Sequence, residues 1–157
     1  MNESTYTPSL FQLRGRIGRV RYLAYSFAFG MLLLLATLVL TTVAGDGVAT
    51  WLPGIASAAL SVVVGGRRLH DLGRSRWIAL GLLIPFVNLA LALWLLCAPG
   101  NPAANRFGPA PGPNTRAVIV LAWAMPVVFL AGVIAAVALA PHKSRFERAR
   151  DEMEQAI

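Results

Sequence analysis

The chain's one adjacent histidine and aspartate, His70 and Asp71, stand inside the run Gly66-Arg67-Arg68-Leu69-His70-Asp71-Leu72-Gly73-Arg74-Ser75-Arg76-Trp77. A Ser-His-Asp relay of Ser75, His70 and Asp71 fails on direction, because neighbouring positions on a helix do not face one another. A metal hydrolase needs more ligands than this pair supplies, and the other histidine, His142, lies far along the chain. Anion chemistry fits better. If a helix continues past Gly66, Arg67 and Asp71 are four apart and Asp71 and Arg74 three apart, so one carboxylate can bridge two guanidinium groups. That reads either as a salt-bridged turn or as a cationic pocket for a phosphorylated head group, with Asp71 orienting the arginines and His70 available for proton transfer. Ser75 is placed to cap a following helix, with Trp77 as an interfacial anchor.

A second basic run, Leu10-Phe11-Gln12-Leu13-Arg14-Gly15-Arg16-Ile17-Gly18-Arg19-Val20-Arg21, has helical spacing. At 100° per residue Leu10, Leu13, Ile17 and Val20 fall in one arc of about 80°, bordered by Arg14 and Arg21 and opposed by Arg16 and Arg19. The spacing predicts a short amphipathic helix lying in the membrane interface, its arginines toward lipid phosphates. Gly15 and Gly18 leave a bare patch that a phosphate or another backbone can approach. Cys97 is the single cysteine, which excludes an intrachain disulfide and a thiolate metal cluster.

The elements that hold these groups are apolar. Only 13% of residues are charged, about half the usual share for a soluble domain. Uncharged stretches predict an all-α polytopic membrane protein with spans at about 22–44, 48–66, 77–98 and 117–140 and a charged tail at 141–157. The first stretch is too long, and its leader too extended, for a cleaved signal peptide. Pro85 and Asn88 predict a kink in the third span. Ser57, Ser61 and Gly65, and likewise Gly132, Ala136 and Ala140, recur every four residues and mark helix-packing faces. In the tail, Glu147 with Arg150 and Arg148 with Glu152 are expected to pair on a solvated helix.

The positive charges orient the spans. Four crossings with both termini cytoplasmic place twelve basic residues inside and leave Arg106 and Arg116 outside. A re-entrant third segment broken at Pro85 places ten inside and four outside, so charge alone favours the four-span arrangement.

Three blocks, Gly15-Arg16-Ile17-Gly18-Arg19 with Tyr22, Arg67 to Ser75 with Trp77, and Asn105-Arg106-Phe107-Gly108-Pro109, together resemble domain of unknown function 805, a family of small bacterial inner-membrane proteins. The resemblance covers roughly Phe11 to Pro111 and implies a small polytopic domain without an assigned enzymatic activity. Two departures stand out. Ala110 occupies a position where the family usually carries an acid, and the last span and tail extend beyond the usual family domain.

The expectation is a non-enzymatic inner-membrane protein without cofactor or metal, whose cytoplasmic arginines Arg16, Arg19, Arg67, Arg68 and Arg74 bind anionic lipid head groups or an acidic partner. His70, Asp71, Ser75, Asn105 and Arg106 supply the polar remainder of the motifs. The alternative is a small oligomeric transporter or channel lined at Asn88 and the Pro85 kink. No charged residue falls within the predicted spans, which weighs against a proton-coupled pump. The net charge of +7 is accounted for by the membrane surface without nucleic acid.

Overall fold

The computed structural model describes the backbone of residues 6–155 and the side chains of 6–44 and 47–138. Helices α1 Arg19–Val43 and α2 Gly45–Asp71 are followed by a 3₁₀ helix Arg76–Leu83, then α3 Val87–Cys97 and α4 Arg116–Gln155. Three helical stretches, Arg19–Val43, Gly47–Asp71 and Arg116–Ala138, are long and apolar enough to cross a membrane. In the first, the hydroxyls of Thr37, Thr41 and Thr42 donate to carbonyls one turn back, at Leu33, Leu38 and Val39. Each polar group is thereby satisfied within its own helix, as hydrocarbon requires.

Ala44 alone joins α1 to α2, so the two helices pack antiparallel. Ala24, Tyr25 and Phe29 of α1 form one core with Val64 of α2, Ile17, and Ala122 near the start of α4. The chain divides into two compact units, the first ending at Ala122 and the second beginning at Trp123. The second unit is the remainder of α4, a helix whose described side chains are apolar from Trp123 to Ala138. The predicted tail pairs, and the side chain of Ala140, lie outside the described residues.

The third apolar segment is folded back on itself. Its 3₁₀ part has 8 residues and α3 has 11, so each reaches only about 16 Å, half the hydrocarbon thickness. Between them Ile84 is extended and Phe86 takes a left-handed φ of 68°. The amide of Asn88 closes the break by donating to the Leu82 carbonyl at 2.7 Å. Past the turn, Leu91 and Val87 pack against Gly81, and Leu95 returns to share a core with Ala79, Leu82 and Leu69. Gly65 of α2 is the seat of this hairpin, since a Cβ there would meet Leu82, Ala79 and Leu95. Both ends of the hairpin lie at the C-terminal end of α2: Arg76 packs on Gly66, and Arg68 bonds the carbonyls of Leu95 and Ala98. The segment predicted to span at 77–98 is therefore a hairpin of two half-length helices, and the loop 99–113 packs beside Arg68–Gly73.

The amphipathic helix expected over Leu10–Arg21 does not form before Arg19. Gly15 has a φ of 96°, a left-handed backbone that ends any helix there. The Tyr6 hydroxyl accepts from the Arg16 amide at 2.5 Å and donates to the Arg16 carbonyl at 2.8 Å, replacing helical partners. A Cβ at position 15 would run into that hydroxyl.

The fold-back gives a direct expectation. In a Cys97→Ala background, single cysteines at Arg74 and Ala104 should react with a membrane-impermeant maleimide from the same side of the membrane. Labelling from opposite sides would mean that 77–98 crosses.

Candidate functional site, a buried arginine cluster

Asp71 ends α2 and is 2% exposed, as are few carboxylates without strong partners. Its Oδ1 accepts from Arg16 Nε at 3.2 Å and Arg16 Nη2 at 3.1 Å, a side-on contact from a residue 55 positions away. Its Oδ2 accepts from Arg68 Nη1, one helical turn back. One carboxylate does bridge two guanidinium groups, but these are Arg16 and Arg68 rather than Arg67 and Arg74. Position along the helix allows Arg68 and Arg67 equally; the tertiary approach of Arg16 selects the face of α2 that Arg68 shares.

The remaining donors of both guanidiniums go to backbone carbonyls. Arg16 Nη1 reaches Ala103 at 2.8 Å and Gly108 at 3.0 Å, and its Nη2 reaches Asn101. All five N–H groups of Arg16 thus have acceptors. Arg68 Nε donates to Leu95 at 2.8 Å and Nη2 to Ala98, the open C-terminal carbonyls of α3, where cationic groups are favoured by the helix dipole. Asn101 in turn donates its amide to the Asp71 carbonyl. Gly100 passes so close that a Cβ there would overlap the Asp71 carboxylate.

Two more buried arginines have no carboxylate. Arg21 donates to the carbonyls of Gly112 at 2.6 Å and Pro113 at 2.5 Å. Arg67 donates to the Ser9 carbonyl at 3.0 Å and lies over the Tyr25 ring at 5.7 Å, while Tyr25 holds the Pro8 carbonyl through its hydroxyl. Arg21 Nε and Arg67 Nε and Nη2 are left unbonded, which leaves the ring quadrupole and nearby carbonyls to offset the Arg67 charge.

The third block closes the cluster. Asn105 and Gly108 exchange backbone hydrogen bonds in a tight turn in which Gly108 takes a φ of 124°. The Asn105 side chain accepts from the Phe107 amide and donates to the His70 carbonyl at 2.9 Å. Phe107 lies flat on the His70 imidazole, 4.0 Å between centroids, and the Arg106 guanidinium lies over the Phe107 ring at 4.7 Å. Ser75 caps the 3₁₀ helix, accepting from the Trp77 amide, as the sequence predicts.

The ten arginines of this face divide sharply. Arg16, Arg21, Arg67 and Arg68 are at most 1% exposed, so they face the protein interior and are not available to a head group. Arg14, Arg19, Arg74, Arg106 and Arg116 are exposed, and Arg76 is half-buried. Among the described side chains Asp71 is the one carboxylate, and no three histidine, cysteine or acidic groups come together among the described residues. Tyr6, Tyr25, Gly100 and Asn101 belong to the cluster without any signal in the sequence motifs. Much of what the arginines bind is main-chain oxygen, which no residue type announces.

Apolar helices of crossing length, joined at one end by a buried ion cluster and its loops, define a polytopic helical membrane protein. The chain belongs to the family described as "Protein of unknown function (DUF805)", which it matches over residues 10–109. It is 38% identical over 103 residues to Inner membrane protein YhaH of Escherichia coli strain K12, covering 62% of this chain and 85% of that protein, and equally to the O157:H7 protein of the same name. No solved structure matches significantly. The protein is a multi-pass inner-membrane protein of this family, and all of α4 lies beyond the matched region.

Breaking the pair tests the cluster. Asp71→Asn leaves Arg16 and Arg68 buried without a counter-charge and should cost about 3–5 kcal/mol of stability, read as a lowered thermal midpoint in detergent. Arg74→Gln, on an exposed side chain, should change stability by no more than ~0.5 kcal/mol.

Proposed function

We propose that this protein is a non-enzymatic inner-membrane component whose cytoplasmic face engages anionic lipid head groups through its exposed arginines. The observation that carries this reading is the division of charge: the face holds ten arginines, and its one described carboxylate is already committed to Arg16 and Arg68. The exposed guanidiniums of Arg14, Arg19, Arg74, Arg106 and Arg116 are therefore unopposed, and each contributes about 1 kcal/mol near an anionic leaflet. His70 and Asp71, the groups best suited to acid–base work, are occupied by ring stacking and by ion pairing.

The same charges orient the protein. With α1, α2 and α4 as the crossings and the hairpin re-entrant, ten arginines are cytoplasmic and the four basic residues of the tail are opposite. On this reading a reporter fused after Ile157 should be active on the periplasmic side; cytoplasmic activity would favour the arrangement with both termini inside.

A second reading, an oligomeric transport path, draws support from a groove between α1 and α2 rather than from Asn88, which is spent closing the hairpin turn. The groove is lined in part by Ser26, Ser57, Ser61, Thr37 and Thr41. Cross-linking in membranes separates the two, since a strictly monomeric protein leaves no path.

For the first reading, native mass spectrometry from bilayers of phosphatidylglycerol and phosphatidylcholine should show phosphatidylglycerol enriched on the protein. Replacing Arg19, Arg74 and Arg116 together by Gln should reduce that enrichment several-fold; unchanged enrichment would sink the proposal.

A further inference from the structure

Leu13, Arg14, Val62, Val63, Arg76 and Trp77 line a groove of about 430 Å³ beside the α2 end of the hairpin. The two arginines in it differ from the four that build the cluster. Arg14 is exposed and has no bonding partner among the described residues, while Arg76 is fixed by one bond from Nη2 to the Leu13 carbonyl at 3.2 Å and by its seat on Gly66. That bond places the Arg76 guanidinium beside the backbone from which Arg14 projects, with donors to spare. The rest of the groove is apolar. Val63 lies three residues before Gly66, about 4.5 Å deeper along α2, and Trp77, 72% exposed, stands at the rim where indole rings settle at a membrane interface.

A groove with two guanidiniums at one end and valine side chains at the other matches an amphiphile that carries an anionic phosphate. The geometry points to a seat for one anionic glycerophospholipid, its phosphodiester between Arg14 and Arg76 and an acyl chain against Val62, Val63 and Trp77. Charge complementarity chooses the class. A zwitterionic lipid brings its own ammonium to two arginines, and the one described carboxylate, Asp71, is buried and paired and cannot accept it. This inference rests on the lipid reading of the face but assigns a single site within it, on residues outside the motif arginines.

The test is native mass spectrometry of the full chain in detergent, titrated with dioleoyl phosphatidylglycerol or dioleoyl phosphatidylcholine. Wild type should retain one phosphatidylglycerol in preference to phosphatidylcholine. The pair Arg14→Gln and Arg76→Gln should weaken that binding about tenfold or more, as for loss of charge-assisted bonds. Val63→Trp fills the groove while leaving every charge in place and should abolish the preference; Leu13→Trp does the same from an exposed side chain if the first variant does not fold. Glycerol phosphate, lacking acyl chains, should not compete. Retention unchanged in the groove-filled variants overturns the seat, as does competition by glycerol phosphate. Loss of enrichment on replacing Arg19, Arg74 and Arg116, with the groove variants unaffected, would leave the face-wide reading standing and remove the site. Loss in the groove variants alone establishes the site and narrows the lipid reading of the face to it.

Discussion

The structure depends on one desolvated carboxylate. Asp71 sits buried at the C-terminal end of α2, and its two oxygens accept from the buried guanidiniums of Arg16 and Arg68. Burying charge is costly, and the cost is met only when geometry and further hydrogen bonds are nearly complete. Here they are, for Arg16 uses all five donors and Arg68 bonds through each of its nitrogens. Segments that have little apolar surface of their own are thereby drawn together. The Ser9 to Gly18 stretch, the end of α2, the end of α3 and the loop from Ala98 to Pro113 all meet within reach of one ion pair and its neighbours.

That arrangement also explains the shape of the third apolar segment. An unbroken helix of its composition is apolar and long enough to cross a membrane, but Pro85 and Phe86 break it and Arg68 holds its far end at Leu95 and Ala98. Backbone that is not regular helix survives at membrane depth only where protein satisfies it. Asn88 does so at the turn, and the apolar contacts of Leu95, Ala79 and Leu82 over Gly65 fill the inside of the hairpin. The ion cluster and the hairpin are consequently one device: removing the counter-charge would release the carbonyls that hold the return strand of chain.

Arginine plays two separate parts on this face. The buried four are a frame, recognising main-chain oxygens whose positions are set by the glycine and proline turns around Gly100, Gly108 and Gly112. The exposed five and the half-buried Arg76 have no carboxylate partner among the described residues, and Arg19, Arg76 and Arg106 each hydrogen-bond only to a main-chain carbonyl there. Sequence motifs mix the two sets, because Arg16 and Arg19, or Arg68 and Arg74, stand close along the chain and carry the same side chain.

The sequence by itself determined the all-α membrane class, the two long N-terminal spans and the last one, the Ser75 cap, and the three blocks that carry the family. These follow from local composition and periodicity, which hydrocarbon reads directly: uncharged stretches of sufficient length must be helical there. It also indicated that Asp71 would serve two arginines. Only the tertiary structure decided which two, that Leu10–Gly18 is not helical, and that 77–98 turns back. Those outcomes depend on a tyrosine hydroxyl from Tyr6, on contacts across 55 residues between Arg16 and Asp71, and on carbonyl oxygens that every residue possesses. Side-chain type and spacing say nothing about where a carbonyl will point, so the acceptors that separate frame from surface come into view only when the chain is folded.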